Sequence, residues 1–178
     1  MLISILNRAR ALALSGTDLP APEALKFFLY RQIGKEEFLS SAYSLATFAA
    51  LDDYDLFSAL KDWCRHSDPV LSFLCESLLN RRLFRVVITT EPFDDEKLEA
   101  IRSKIVSKLQ LTGTDYTYFM GQGEISNSAY DPTKDRITMV DKNGERFDIS
   151  GLSEQLNIAI YNKTVSKYFT YFPKWADV

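Results

Sequence analysis

Apolar residues recur at three- and four-residue intervals as far as Asn80, and at strand-like two-residue intervals from Leu83 onward. A change of period within one chain, from that of a helix to that of a strand, points to an α+β fold with a helical part first. Leu2, Ile5, Leu6, Ala9, Leu12 and Ala13 form one stripe, closed by Ser15-Gly16-Thr17-Asp18 and Pro20. With no capping residue ahead of Met1 and little for the stripe to pack against, this segment reads as the tail of a longer helix, which hints at truncation. Pro22 opens a helix that Gly34 closes, and Glu36–Leu51 is predicted to continue as one helix with Phe38, Leu39, Ala42, Leu45, Ala46 and Ala49 facing the core. Asp52 or Asp53 caps the next helix, with Leu56, Phe57, Leu60, Trp63 and Cys64 on one side. Ser67-Asp68-Pro69 starts another, presenting Val70, Leu71, Leu74, Cys75 and Leu78 and ending at Asn80-Arg81-Arg82.

The strand-like part begins with Leu83–Thr90, rich in β-branched residues. Asp94-Asp95-Glu96 opens a helix with Leu98, Ile101, Ile105 and Leu109 on its buried face, ended by Gly113. Tyr116–Met120 reads as a short aromatic strand and Gly121–Pro132 as a mobile loop. Arg136–Asp141 and Glu145–Ile149 flank Asn143-Gly144, a type I′ hairpin signal that pairs Val140 with Phe147. Leu152–Tyr161 is predicted to be helical and Val165–Phe172 to be a closing strand. The expectation is a helical region over 1–82, then a β-α-β-β-β-α-β domain over 83–178 with a mainly antiparallel sheet.

Composition narrows the functional classes. The chain is 46% hydrophobic, 25% charged and formally −3, a soluble globular composition whose slight acidity argues against non-specific nucleic-acid binding. No apolar run approaches the ~20 residues that span a bilayer, and Asn7, Arg8 and Arg10 interrupt the N-terminal one, so neither a membrane span nor a signal peptide is expected. Cys64 and Cys75 lie on apolar stripes without metal-ligand spacing, as reduced thiols of a cytoplasmic protein do. His66 is the only histidine, which removes hydrolase centres built on several histidine ligands, and a Cys-His dyad with Cys64 or Cys75 lacks an electropositive setting. Asp52, Asp53 and Asp55 read as helix-capping acids before metal ligands. Gly121-Gln122-Gly123 lacks the third glycine and the Lys-Ser/Thr of a phosphate loop. The tail, with Tyr168, Phe169, Tyr171, Phe172 and Trp175 among Lys163, Lys167 and Lys174, resembles a single-strand stacking platform but reads first as a core strand. Arg81, Arg82 and Arg85 place three guanidiniums at a helix-to-strand junction, where they are either solvated charges or a phosphate clamp.

Leu51–Trp63, then Asp68-Pro69-Val70-Leu71, then Leu79-Asn80-Arg81-Arg82-Leu83-Phe84, resembles in order the region after the catalytic core of HD-superfamily phosphohydrolases. The group includes the dGTPase-like and SAM-and-HD-domain dNTP triphosphohydrolases. The likeness is most specific from Phe28 to Arg85, and beyond it Ala159-Ile160-Tyr161-Asn162-Lys163 follows the C-terminal lobe by pattern. Members hold a divalent metal with a His…His-Asp…Asp set and hydrolyse deoxynucleoside triphosphates to nucleoside and triphosphate. This chain has no His-Asp pair, so the resemblance implies a C-terminal piece whose metal and catalytic half lie elsewhere.

In the vertebrate member, basic residues matching Arg81 and Arg85 contact the phosphates of an activating nucleotide at a subunit junction. The resemblance therefore implies nucleotide contact at Arg81 and Arg85, where the family example has lysine at the second position, with Lys163 as a third candidate. It further implies no catalytic residue and no cofactor in this chain, with an N-terminal HD catalytic domain, a homo-oligomeric partner copy and a (d)NTP effector as partners. The alternative is a stand-alone protein-interaction module that uses an exposed helical stripe and binds no nucleotide.

Overall fold

A computed structural model describes residues 1–127, 137–148 and 165–177 of the chain. The helical part runs α1 (Leu2–Leu14), α2 (Glu23–Tyr30), α3 (Lys35–Ser40), α4 (Ala42–Ala50), α5 (Asp53–Trp63) and α6 (Pro69–Leu79). Then follow β1 (Arg85–Thr89), α7 (Asp95–Leu109), a 3₁₀ turn at Asp115–Tyr118, β2 (Gly121–Asn127), β3 (Thr138–Val140), β4 (Arg146–Asp148), β5 (Val165–Phe172) and a 3₁₀ turn at Lys174–Ala176. Strands β1, β5 and β2 lie in that order in a mainly antiparallel sheet, and β3 pairs with β4. The fold is the α+β arrangement that the change of period requires. The predicted helix at Leu152–Tyr161 lies outside the described residues.

Two compact units share the chain. One comprises Met1–Arg85, Glu96–Gly121 and Tyr171–Val178, the other Val86–Asp95 and Gln122–Thr170. The step from 82 to 83 marks where helices give way to strands, whereas compactness groups most of α7 and the end of β5 with the helices.

In the first unit α1 packs on α2, α6 and the 3₁₀ turn at Asp115–Tyr118. Its Ile5 and Ala9 are fully buried, so the expectation that this helix lacks partners is corrected. Leu60 and Trp63 of α5, Val70, Leu71, Leu74 and Cys75 of α6, and Ile101 and Ile105 of α7 are also buried. Polar fasteners hold the irregular links. Trp63 Nε1 donates to Pro20 O at 2.8 Å, while Tyr30 Oη accepts from Leu19 N at 2.6 Å and donates to Thr17 O at 2.9 Å. Arg8 spans three elements: it donates to both oxygens of Asp68, at 3.1 and 2.6 Å, and to Asp115 at 2.9 Å.

Helix starts follow the capping rules. Asp52 accepts from Tyr54 N and Asp55 N, and Asp55 accepts from Asp52 N, a reciprocal box that satisfies orphan donors. Asp68 accepts from Leu71 N at 2.7 Å with Pro69 in the first turn. The expected single helix over Glu36–Leu51 is broken at Ser41, which is extended (φ −101°, ψ 105°) and caps α4 by accepting from Ser44 N. A serine hydroxyl competing for backbone donors is a sufficient cause. Its predicted core stripe is also corrected, since Leu39 is 75% and Leu45 56% exposed. Rings make the contacts instead: Phe38 and Phe48 meet edge to face at 5.4 Å, as do Phe27 and Tyr43 at 5.3 Å.

Three helices end in the same six-to-one turn. In α1 Thr17 N bonds Leu12 O around Gly16 (φ 91°), in α6 Arg82 N bonds Ser77 O around Arg81 (φ 56°), and in α7 Leu111 N bonds Val106 O around Gln110 (φ 51°). Gln110, rather than Gly113, therefore stops α7.

The second half departs from expectation in three further places. Tyr116–Met120 is not a strand, because Asp115–Tyr118 winds into a 3₁₀ turn that buries Phe119. Gly121–Asn127 is a strand and not the start of a loop; a Cβ on Gly123 would lie 2.8 Å from the Phe169 ring of β5, so the glycine makes room for a ring of the neighbouring strand. In the hairpin, Met139 opposes Phe147 and Val140 opposes Arg146, one residue from the predicted register. The Asp141 carboxylate accepts from Asn143 N and Glu145 N, which favours a three-residue loop over the two-residue turn.

Candidate functional site

The end of α6 and the C-terminal 3₁₀ turn, both in the first unit, enclose a groove of about 450 Å³. One wall begins in α6 with Phe73 and Ser77, continues through Arg81 and Arg82, and ends at Leu83 and Phe84; the other is Pro173-Lys174-Trp175. The left-handed turn at Arg81 redirects the chain after α6, so that consecutive arginines line the same groove. Opposite, Phe172 is 1% exposed and Ala176 fully buried, which pins the turn carrying Lys174 and Trp175.

The charges around the groove are unequally engaged. Arg82 Nη2 bonds Glu76 Oε2 at 2.9 Å in an exposed pair. Among the described residues, Arg81 and Lys174 have no ion pair. Arg85 pairs with the Asp177 carboxylate and does not line the groove. Lys104 Nζ donates to Asp177 O at 2.8 Å, and Lys108 Nζ stands 4.4 Å from the Trp175 ring centroid. Two cations of α7 thus steady the C-terminal turn. Phe84 stacks on Tyr171 at 6.3 Å and touches Phe119, which fixes the ring at the groove's inner edge.

Of the residues singled out from sequence, Arg81 and Arg82 come together in the groove, Arg85 lies beside it on Asp177, and Lys163 is outside the described residues. Lys174 and Trp175 were legible only as part of a basic, aromatic tail; Pro173, which separates them from β5, is the signal that they leave the strand.

The other candidates resolve into structural roles. His66 Nδ1 accepts from Asp68 N at 3.0 Å and helps to set the cap of α6. Burial pushes the Cys75 thiol up to about 12, with the neighbouring Cys64 adding to it, and burial followed by Glu76 pushes Cys64 up as well. Neither thiol is poised as a nucleophile. The Asp52 and Asp55 carboxylates are engaged in capping, and no group of three or more His, Cys, Asp or Glu is placed to hold a metal among the described residues. With one histidine, itself bonded through Nδ1, these residues do not fit the divalent-metal site that the HD resemblance implies for an intact enzyme. No helix among the described residues is long and apolar enough to cross a membrane.

The fold and groove describe an α+β chain with a basic, aromatic-walled site and no metal-holding cluster of His, Cys, Asp or Glu among its described residues. The chain is similar, at 37% identity over 96% of its length and with a TM-score of 0.83, to the crystal structure of a phosphohydrolase from Bacteroides thetaiotaomicron. It spans 42% of that protein. No protein-family model and no curated protein matches the chain. The likeness in sequence and fold relates this chain to part of that phosphohydrolase.

Proposed function

We propose that the chain is the non-catalytic C-terminal accessory part of a cytoplasmic, HD-type, metal-dependent nucleotide phosphohydrolase of the dNTP triphosphohydrolase kind. It contributes oligomerisation and contacts to nucleotide phosphates. The observation that carries this reading is the similarity of nearly the whole chain to less than half of a phosphohydrolase, in a sequence with a single histidine. In this reading the divalent metal and the hydrolytic step belong to an N-terminal HD domain, and this part binds a (d)NTP effector. Arg81, Arg85 and Lys163 are the proposed phosphate contacts. Arg81, with no ion pair among the described residues, is available to a phosphate; Arg85 has to leave Asp177 to take part.

Equilibrium dialysis of the purified chain against GTP and dGTP tests the proposal. Saturable retention of either nucleotide supports it; retention of neither overturns nucleotide binding. The second reading, a stand-alone protein-interaction module, draws on the exposed Leu39, Tyr43, Leu45 and Phe48 of α3 and α4 and is the one favoured by that negative result.

A further inference from the structure

We propose that the groove between the end of α6 and the C-terminal turn is a two-part site, in which Lys174 and Arg81 hold the phosphates of a ligand and Trp175 stacks on its planar ring. The inference rests on the nucleotide-binding reading above and adds to it Lys174 and Trp175, which the family resemblance does not point to.

Four observations converge. A volume of about 450 Å³ lies within the range of small-molecule sites. Its walls combine cations with aromatic rings, the two surfaces that a phosphate-bearing planar ligand needs together, since guanidinium and ammonium groups pair with phosphate oxygens while every base has a face to stack. Among the described residues the one acid bonded to a lining residue, Glu76, is spent on Arg82, so Arg81 and Lys174 give the groove a positive balance. Finally, the left-handed turn at Arg81 ends α6 so that Arg81 lines the same groove as Lys174 and Trp175. Trp175 is steadied by Lys108 at 4.4 Å, so the ring is already in position before a ligand arrives.

The two tryptophans separate the readout. Trp63 is 1% exposed and bonded to Pro20, while Trp175 lines the groove, so a ligand that stacks there changes the emission of Trp175 alone. The wild-type chain is titrated with GTP, inorganic tripolyphosphate and guanosine, following fluorescence and, in parallel, dialysis. GTP is expected to quench emission saturably, tripolyphosphate to bind without quenching, and guanosine to bind at least tenfold more weakly than GTP. Trp175→Phe removes the quench, and Lys174→Ala weakens GTP binding about tenfold or more, the loss associated with one charge-assisted bond. Lys61→Ala, which removes an exposed cation of α5, stays within about twofold of wild type, so that net charge is controlled. If GTP is retained in dialysis yet emission is unchanged, or Lys174→Ala binds as wild type does, this site is overturned and the wider reading stands. If GTP is not retained at all, both are overturned.

Discussion

Replacing Arg81 by glycine should make the chain more stable while depriving it of a ligand contact. An L-residue in the left-handed region costs about 1–2 kcal/mol, and Arg81 at φ 56° bears that cost inside the six-to-one turn that ends α6. Glycine recovers it but loses about 0.5–1 kcal/mol through the freedom of its unfolded chain. The difference at the middle of the two ranges is a gain of about 0.75 kcal/mol, or roughly 2–3 °C in Tm for a chain of this size. Helix α1 shows the turn with its preferred residue, since Gly16 occupies the same position at φ 91°. Gln110→Gly is the matched control, because Gln110 has the same role at the end of α7 and does not line the groove. Urea unfolding followed by far-ultraviolet circular dichroism should show both midpoints rising with an unchanged slope. GTP dialysis should show weaker binding for Arg81→Gly only. Destabilisation by Arg81→Gly would refute the helix-end argument, and undiminished GTP affinity would refute the role of its side chain.

Other consequences follow from the packing. Arg8→Met removes the charge-assisted bonds to Asp68 and Asp115, whose side chains are 11% and 26% exposed, and should cost about 2–4 kcal/mol by urea unfolding. Burial alone would raise the Asp68 carboxyl, but the bonds from Arg8 and Leu71 N outweigh it and hold the group below its ordinary value. The stabilisation from Asp68 is therefore present above its unfolded pKa of about 3.9 and is lost as pH falls through the lower folded value. In Arg8→Met the acid-unfolding midpoint should move to higher pH; an unmoved midpoint refutes the pairing. Cys75, fully buried with its thiol pushed up to about 12, should react with a thiol reagent at mildly alkaline pH only once the chain is unfolded. Gly123→Val should displace the Phe169 ring, with a cost of about 1–3 kcal/mol and a changed near-ultraviolet dichroism; no change in either would contradict the close approach.

The parts of this fold that were legible in the sequence are those dictated locally. The change of period at Leu83, the Asp52 and Asp68 caps and the closing strand Val165–Phe172 each follow from neighbours in the chain. Structure departs from local sequence signals where a side chain competes with the backbone or where a distant ring decides the outcome. Ser41 divides a helix by taking a backbone donor, and Asp141 lengthens a turn in the same manner. Gly121-Gln122-Gly123 looks like punctuation until Tyr171 and Phe169 are seen against its two glycines. At the site, the arginine cluster after α6 was visible as a candidate, but its division was not. Arg81 and Arg82 turn into the groove because α6 ends in a left-handed residue, whereas Arg85 meets Asp177, a partner 92 positions away. Lys174 and Trp175 join the site through that same long-range closure.

Binding of nucleotide without its hydrolysis is the property proposed for this chain. It is tested most directly by incubating the purified protein with dGTP and a divalent cation such as Mn²⁺, while measuring retained nucleotide and released triphosphate in one sample. The expected result is saturable retention with no release of triphosphate above the metal-only control. Release that scales with protein concentration would contradict it.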